Sequence, residues 1–136
     1  MCAMRRIGDT AGCDILCAME TRTYQGSCHC GAVQFEVSTE LMKVIDCNCS
    51  RCSRTGAVLT FVPTSQFKLH QGEADLTEYR FNTKVIAHLF CKHCGIQPIA
   101  RGKMPDGTPI VAINLRCLPE IDVTKLSVHH ADGKRL

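Results

Sequence analysis

The stretch Gly26-Ser27-Cys28-His29-Cys30-Gly31, running on into Ala32-Val33-Gln34-Phe35-Glu36-Val37-Ser38, decides the fold class. Its second half alternates. Val33, Phe35 and Val37 fall on one face and Gln34 and Glu36 on the other, the period-two pattern of a strand with one buried side. Its first half sets two thiols two residues apart. On a flat strand such side chains share a face but stand too far apart for one ion. A pair meant for a single metal therefore needs a turned backbone, and Gly26 and Gly31 bracket the two cysteines. A strand that starts from a cysteine knuckle predicts a mainly β domain whose loops carry metal ligands.

Working outward, residues 43–47, 58–62, 76–81, 85–90 and 109–115 read as further short strands, the second of them stopped by Pro63. Residues 96–101 read as an edge or bulged strand, because Pro98 cannot donate to a ladder. Residues 65–67 read as a helical turn capped by Pro63, Thr64 and Ser65. Residues 71–73 and 104–109 are turns, Asp106-Gly107 being the strongest signal. From Leu118 to Leu136 no period emerges, and no repeat or long amphipathic helix is present.

The chain has 136 residues, which suits a single domain with a modest core, and 45% of them are apolar. No run approaches the roughly 18 apolar residues of a membrane span. Residues 1–22, with Cys2, Cys13 and Cys17 at unrelated spacings, read as a loosely ordered extension, and residues 23–136 as the domain. Asp9, Asp14 and Glu20 break any apolar block near the start, so no signal peptide is expected. The formal charge is only +3, and its basic residues are scattered without interleaved aromatics, which argues against nucleic acid.

Eleven cysteines allow a disulfide scaffold or metal sites. The scaffold needs an oxidising compartment, whereas clustered pairs without a secretory context read as metal sites. The cytoplasm is the default location. Besides Cys28 and Cys30, the clusters are Cys47-Asn48-Cys49-Ser50-Arg51-Cys52 and Cys91-Lys92-His93-Cys94-Gly95. Seven thiols divide into four and three. Four protein thiolates close a structural zinc site, while three leave a position for water or substrate.

Cys28, Cys30, Cys91 and Cys94 are the expected closed site, stapling the ends of a long β-rich segment. Cys47, Cys49 and Cys52 are the expected open one, unless Cys117 or a histidine closes it. Cys117 otherwise reads as an ordinary buried cysteine. Arg51 and Arg54 flank the three-thiol loop and either pair with substrate carboxylates or are simply solvated. Asn48 and Ser50 either donate to the thiolates or satisfy the turn. His29 and His93 are expected to face outward, His88 to be a core or edge residue, and Phe61 and Phe90 to be core.

Three motifs in order, residues 26–31, 47–52 and 90–95, make the chain resemble the glutathione-dependent formaldehyde-activating enzyme family, which also includes centromere protein V. The resemblance spans about residues 23–130. It implies a small Mss4-like (β-tent) fold of short antiparallel strands. It also implies two zinc ions, a structural one on Cys28, Cys30, Cys91 and Cys94 and an exchangeable one on Cys47, Cys49 and Cys52. The implied activity is that of a carbon–sulfur lyase on a thiol–aldehyde adduct, S-hydroxymethylglutathione, with glutathione as the small-molecule partner. Residues 1–22 have no counterpart in the family pattern. The competing readings are a zinc-stabilised binding module without catalysis and a thiol-based metal-handling protein.

Overall fold

The alternation after Cys30 becomes strand β2 (Gln34–Thr39), which pairs antiparallel with β1 (Arg22–Ser27) in register, Tyr24 opposite Val37 and Gly26 opposite Phe35. The structure, a computed structural model, describes residues 21–41, 43–81 and 85–132. The expected extension therefore lies, up to residue 20, outside the described residues, as do its three cysteines. β5 (Phe67–Gln71) joins the other edge of β2 and completes a three-stranded sheet. That strand was not expected, because its apolar residues, Phe67 and Leu69, are only two.

The second sheet has seven strands in the order β10-β3-β4-β9-β8-β7-β6. They are β3 (Val44–Cys47), β4 (Leu59–Pro63), β6 (Leu76–Tyr79), β7 (Ala87–Cys91), β8 (Ile99–Lys103), β9 (Pro109–Asn114) and β10 (His129–Ala131). Every pairing is antiparallel except β3 with β10, which is parallel. The mainly β architecture of short strands is thus as expected, with one parallel edge added by a tail that showed no period.

The two sheets bury a common core. Tyr24, Phe35 and Val37 of the small sheet pack with Val62, Leu89, Ile99, Val111 and Ile113 of the large one, and Leu115 and Leu118 fill the end. Phe35, Ile113 and Leu115 are wholly buried. Gly26 is a glycine for a packing reason, since a Cβ there would come within 2.7 Å of Leu118 Cδ2 and strike the Phe35 ring.

Three expectations are corrected. β8 is an interior strand, because it starts only after Pro98, whose carbonyl accepts the Asn114 amide at 2.9 Å. The helical turn is a 3-10 turn over Thr64–Gln66, and no side chain caps it. Phe61 is 43% exposed, because Thr60 and Val62 take the inward positions of β4. His88, by contrast, is buried as read.

Candidate metal centres and adjoining pocket

The four-thiol site sits at the seam between the sheets. Cys28 and Cys30 come from the β1–β2 connection, Cys91 ends β7, and Cys94 lies in the turn that follows. Gly31 and Gly95 close the two knuckles with φ of +84° and +79°, the conformation expected of glycine there. The Cys28 amide bonds the Val33 carbonyl at 3.1 Å, and the Gly95 amide bonds the Cys91 carbonyl at 2.8 Å, so each turn is fixed by its own backbone. Cys28 and Cys91 are buried with Val33 in a small apolar cluster of their own.

One sulfur from each of Cys28, Cys30, Cys91 and Cys94 lies within 4.8 Å of the others. Cys28 and Cys30 are 3.6 Å apart and Cys30 and Cys91 3.7 Å. The Val33 amide reaches Cys28 Sγ at 3.4 Å and the His93 amide reaches Cys91 Sγ at 3.4 Å. Amides aimed at sulfur favour thiolate over thiol. Hydrogen bonds from the Ile96 and Cys30 amides hold the Cys94 thiol down at about 6. At Cys30 the Ala32 amide acts downward but is outweighed by burial and the neighbouring sulfurs, which push it up to about 12. Four thiols this close cannot all ionise alone, so the donor set fits a soft divalent cation that neutralises them.

The three-thiol site is built on one loop. β3 delivers Cys47, a bend carries Cys49, and Cys52 opens the one-turn helix α1 (Cys52–Thr55). The Asn48 amide bonds the Ala131 carbonyl of β10 at 3.1 Å, which ties the loop to the parallel edge. The three sulfurs lie within 4.8 Å of one another, all half-buried. The donors to sulfur are backbone amides, Cys49 N to Cys47 Sγ at 3.5 Å and Cys52 N to Cys49 Sγ at 3.3 Å.

Asn48 Nδ2 donates to Asp132 at 2.9 Å, and the backbone carbonyl of Ser50 accepts from Arg54. Burial acts to raise the Cys49 thiol, but hydrogen bonds from Cys52, Arg51 and Cys47 prevail and hold it below its ordinary value. Burial, then Cys49 and Cys47, push Cys52 up to about 12. The same competition for charge marks this cluster as a fit for a cation.

Neither flanking arginine points away from the protein. Arg51 donates from Nε and Nη2 to Gln97 Oε1 at 3.2 and 2.6 Å, and its guanidinium lies 4.9 Å over the Tyr79 ring. Arg54 Nη1 donates to the Ser50 carbonyl at 2.6 Å. Cys117 is buried and belongs to neither cluster, its sulfur 4.0 Å from the Gln97 carbonyl, and burial, with the nearby Cys28 and Cys94 thiols adding to it, pushes its thiol up to about 12. His29 and His93 are exposed, and His93 Nε2 meets Asp75 Oδ1 at 2.9 Å. None of the eight described cysteines forms a disulfide.

A cavity of about 470 Å³ opens beside Cys47 and Cys52. Asp46, Arg116, His130 and Asp132 share its lining, and His130 Nδ1 sits 2.7 Å from Asp46 Oδ1. Sequence reading missed these residues and Gln97. His130 and Asp132 come from the tail without period, and Arg116 from a 3-10 turn whose fold partner, Gly56, is remote in sequence.

Comparison with known proteins agrees with this architecture. Residues 23–129 match the family model described as glutathione-dependent formaldehyde-activating enzyme. The chain is also similar to a crystal structure of a Rhodobacter sphaeroides protein, a structural-genomics target. The TM-score is 0.67 and the identity 28%, covering 77% of this chain and 99% of that one.

Proposed function

The chain belongs to the glutathione-dependent formaldehyde-activating enzyme family, and from that premise we propose that it is a zinc-dependent carbon–sulfur lyase interconverting S-hydroxymethylglutathione with glutathione and formaldehyde. The single observation that carries this reading is the three-thiol set Cys47, Cys49 and Cys52, half-buried and opening on a cavity. Held by those three sulfurs, zinc would offer a remaining position at which an outside thiol ionises or an aldehyde oxygen is polarised. Cys28, Cys30, Cys91 and Cys94 are assigned to a structural zinc that staples the sheets.

The chain's own groups shape the site. The amides of Cys49 and Cys52 are aimed at the sulfurs of Cys47 and Cys49, the donor geometry that a metal-bound thiolate accepts. In this reading Arg51 and Arg54, first considered for substrate carboxylates, fix the loop from its two sides. The cavity wall admits the thiol's carrier and limits water. The working unit is residues 23–136, with residues 1–22 as an appendage, in a reducing compartment such as the cytoplasm. No helix among the described residues is long and apolar enough to cross a membrane.

Metal analysis and exchange spectroscopy test the proposal together. The expected result is two zinc ions per chain, one of them released by glutathione or a mild chelator, with carbon-13 exchange between formaldehyde and S-hydroxymethylglutathione accelerated by the protein. A single tightly held zinc with no acceleration would leave a zinc-stabilised binding module.

A further inference from the structure

The core-side face of the large sheet does not stay apolar along its whole length. In register across β7, β8, β9 and β4, the residues Ala87, Arg101, Val111 and Val62 form one row. Three of them are buried core residues, and the fourth is an arginine on an interior strand. Lys103 lies two residues further along β8, on the same face. On β6, Glu78 stands opposite Leu89 and shares that face too.

These side chains line a second cavity, of about 640 Å³, to which neither the three-stranded sheet nor any described cysteine contributes. Its apolar surface is aliphatic, from Val85, Ala87, Leu89, Pro109 and Ile110. A charge set against such a surface costs free energy unless it is paired. Arg80 has a close partner, its Nε 2.7 Å from Glu78 Oε2. Arg101 is half-buried and less well served. Among the described residues its terminal nitrogens reach only Glu73 Oε1, at 3.5 Å, beyond the usual N–H···O range, and Glu73 is itself largely exposed. Lys103 meets no carboxylate among the described residues.

The charges and the surface together select a ligand. Arg80, Arg101 and Lys103 face Glu73 and Glu78, so three cations against two carboxylates leave one positive charge. A monoanion neutralises it, whereas a dianion would leave repulsion from the two glutamates uncompensated. The guanidinium fork matches the two oxygens of a carboxylate. An aliphatic floor without an aromatic ring suits a hydrocarbon chain, and the volume falls within the range that takes a small organic ligand.

We propose that this cavity binds an aliphatic monocarboxylate, with Arg101 pairing the carboxylate, Lys103 adding charge at the rim, and the chain lying on Ala87, Leu89 and Ile110. The site is separate from both thiol clusters and does not depend on the carbon–sulfur reaction.

Nitrogen-15 NMR titration of the full-length protein with octanoate tests this. Saturable shifts should centre on the amides of Ala87, Leu89, Gly102 and Ile110. Octanamide, which keeps the chain and loses the charge, should bind at least about tenfold more weakly, as for loss of a hydrogen bond to a charged group. Butyrate, which keeps the charge on a shorter chain, should also bind at least about tenfold more weakly, because less hydrocarbon leaves water. Arg101→Gln should weaken octanoate about tenfold and bring it level with octanamide. Lys103→Gln should weaken it by less, since an ammonium at the rim acts as a hydrated point charge.

The ligand series on the unmutated protein decides the matter even if Arg101→Gln fails to fold. Absence of saturable shifts with octanoate, equal binding of octanamide, or equal binding of butyrate overturns the proposal. So do shifts centred on the loop from Cys47 to Cys52, or competition by octanoate in thiol–aldehyde exchange, because either would place the ligand at the three-thiol site. Since the readout is binding, absence of that exchange would sink the proposed reaction and leave this site standing.

Discussion

Arg51 and Gln97 are clamped together, two guanidinium nitrogens of the one converging on the single amide oxygen of the other at 2.6 and 3.2 Å. Arg51 lies between Cys49 and Cys52, and Gln97 lies three residues beyond Cys94. The clamp therefore joins the three-thiol loop to the segment leaving the four-thiol knuckle. Gln97 is itself fixed, its carbonyl accepting Asn114 Nδ2 at 3.0 Å and its amide nitrogen 3.5 Å from His88 Nδ1. Tyr79 supports the guanidinium from its other face.

Breaking the clamp should loosen the loop without emptying the four-thiol site. For Arg51→Ala we expect affinity for the second zinc to fall about tenfold to a hundredfold, as for loss of a group that orients ligands. The Arg51→Ala and Gln97→Ala losses should be strongly non-additive, since each removes the same contact. Arg51→Lys should rescue little, because an ammonium cannot span the two-donor geometry. Chelator competition, reading the first and second zinc separately, measures all three.

The two thiol sets should respond oppositely to serine. Cys91 has no exposed surface and packs with Cys28 and Val33, so Cys91→Ser removes a ligand whose metal contributes roughly 10 kcal/mol to folding. Loss of the cooperative thermal transition is the expected result. Cys47→Ser leaves the β3 backbone and the core in place, so the melt should persist while the second zinc and thiol–aldehyde exchange are lost. Circular dichroism with zinc analysis decides it, and equal unfolding of both variants would sink the open-site reading.

How much of this was legible beforehand follows from range. Alternation at Val33, Phe35 and Val37 and the spacing of Cys91 and Cys94 are local signals, and both strand and knuckle formed where they point. Phe61 was misread because its exposure depends on which face of β4 meets the core, and an apolar run conceals that. β5 and β10 gain their stability from partners 32 and 84 residues away, Glu36 for Lys68 and Ile45 for His129, and no local pattern carries such pairing. The clamp and the charged cavity wall are invisible for the same reason. Gln97, Arg116 and His130 acquire a role only when the sheets bring distant segments together.

Acid should destabilise the fold through His88. Burial, reinforced by the positive charge of Arg51, holds its imidazole below the ordinary value of 6.5. Below about pH 6.5 the unfolded chain takes up a proton that folded His88 refuses, so stability falls as pH drops from there toward the folded value and levels off beneath it. The slope cannot exceed about 1.4 kcal/mol per pH unit for one proton. Acid also displaces metal from thiolates, so the discriminating quantity is a difference. Urea midpoints for the unmutated protein and His88→Gln, taken from pH 7.5 to 5, should diverge only below about pH 6.5. Parallel curves would show that His88 contributes nothing.

Gly72 is the position where one methyl group should do most damage to the four-thiol site. Its φ is +99°, a conformation that costs an L side chain about 1–3 kcal/mol. A Cβ there would also stand 2.5 Å from the Ala32 carbonyl oxygen and 2.7 Å from Val33 Cα, both backbone atoms that cannot swing aside. Relieving the contact means pushing back the segment that follows Cys30 and supplies the Val33 amide to Cys28. Gly72→Ala should therefore lower stability by about 2–6 kcal/mol, the sum of strain and overpacking. It should also speed release of the structural zinc, because the displaced backbone carries two of its ligands. Gly107→Ala is the control, since its φ of +93° is equally unfavourable but no heavy atom lies within 4 Å of the added carbon. If both substitutions cost the same and neither changes zinc release, the close packing of Gly72 on the knuckle has no energetic consequence.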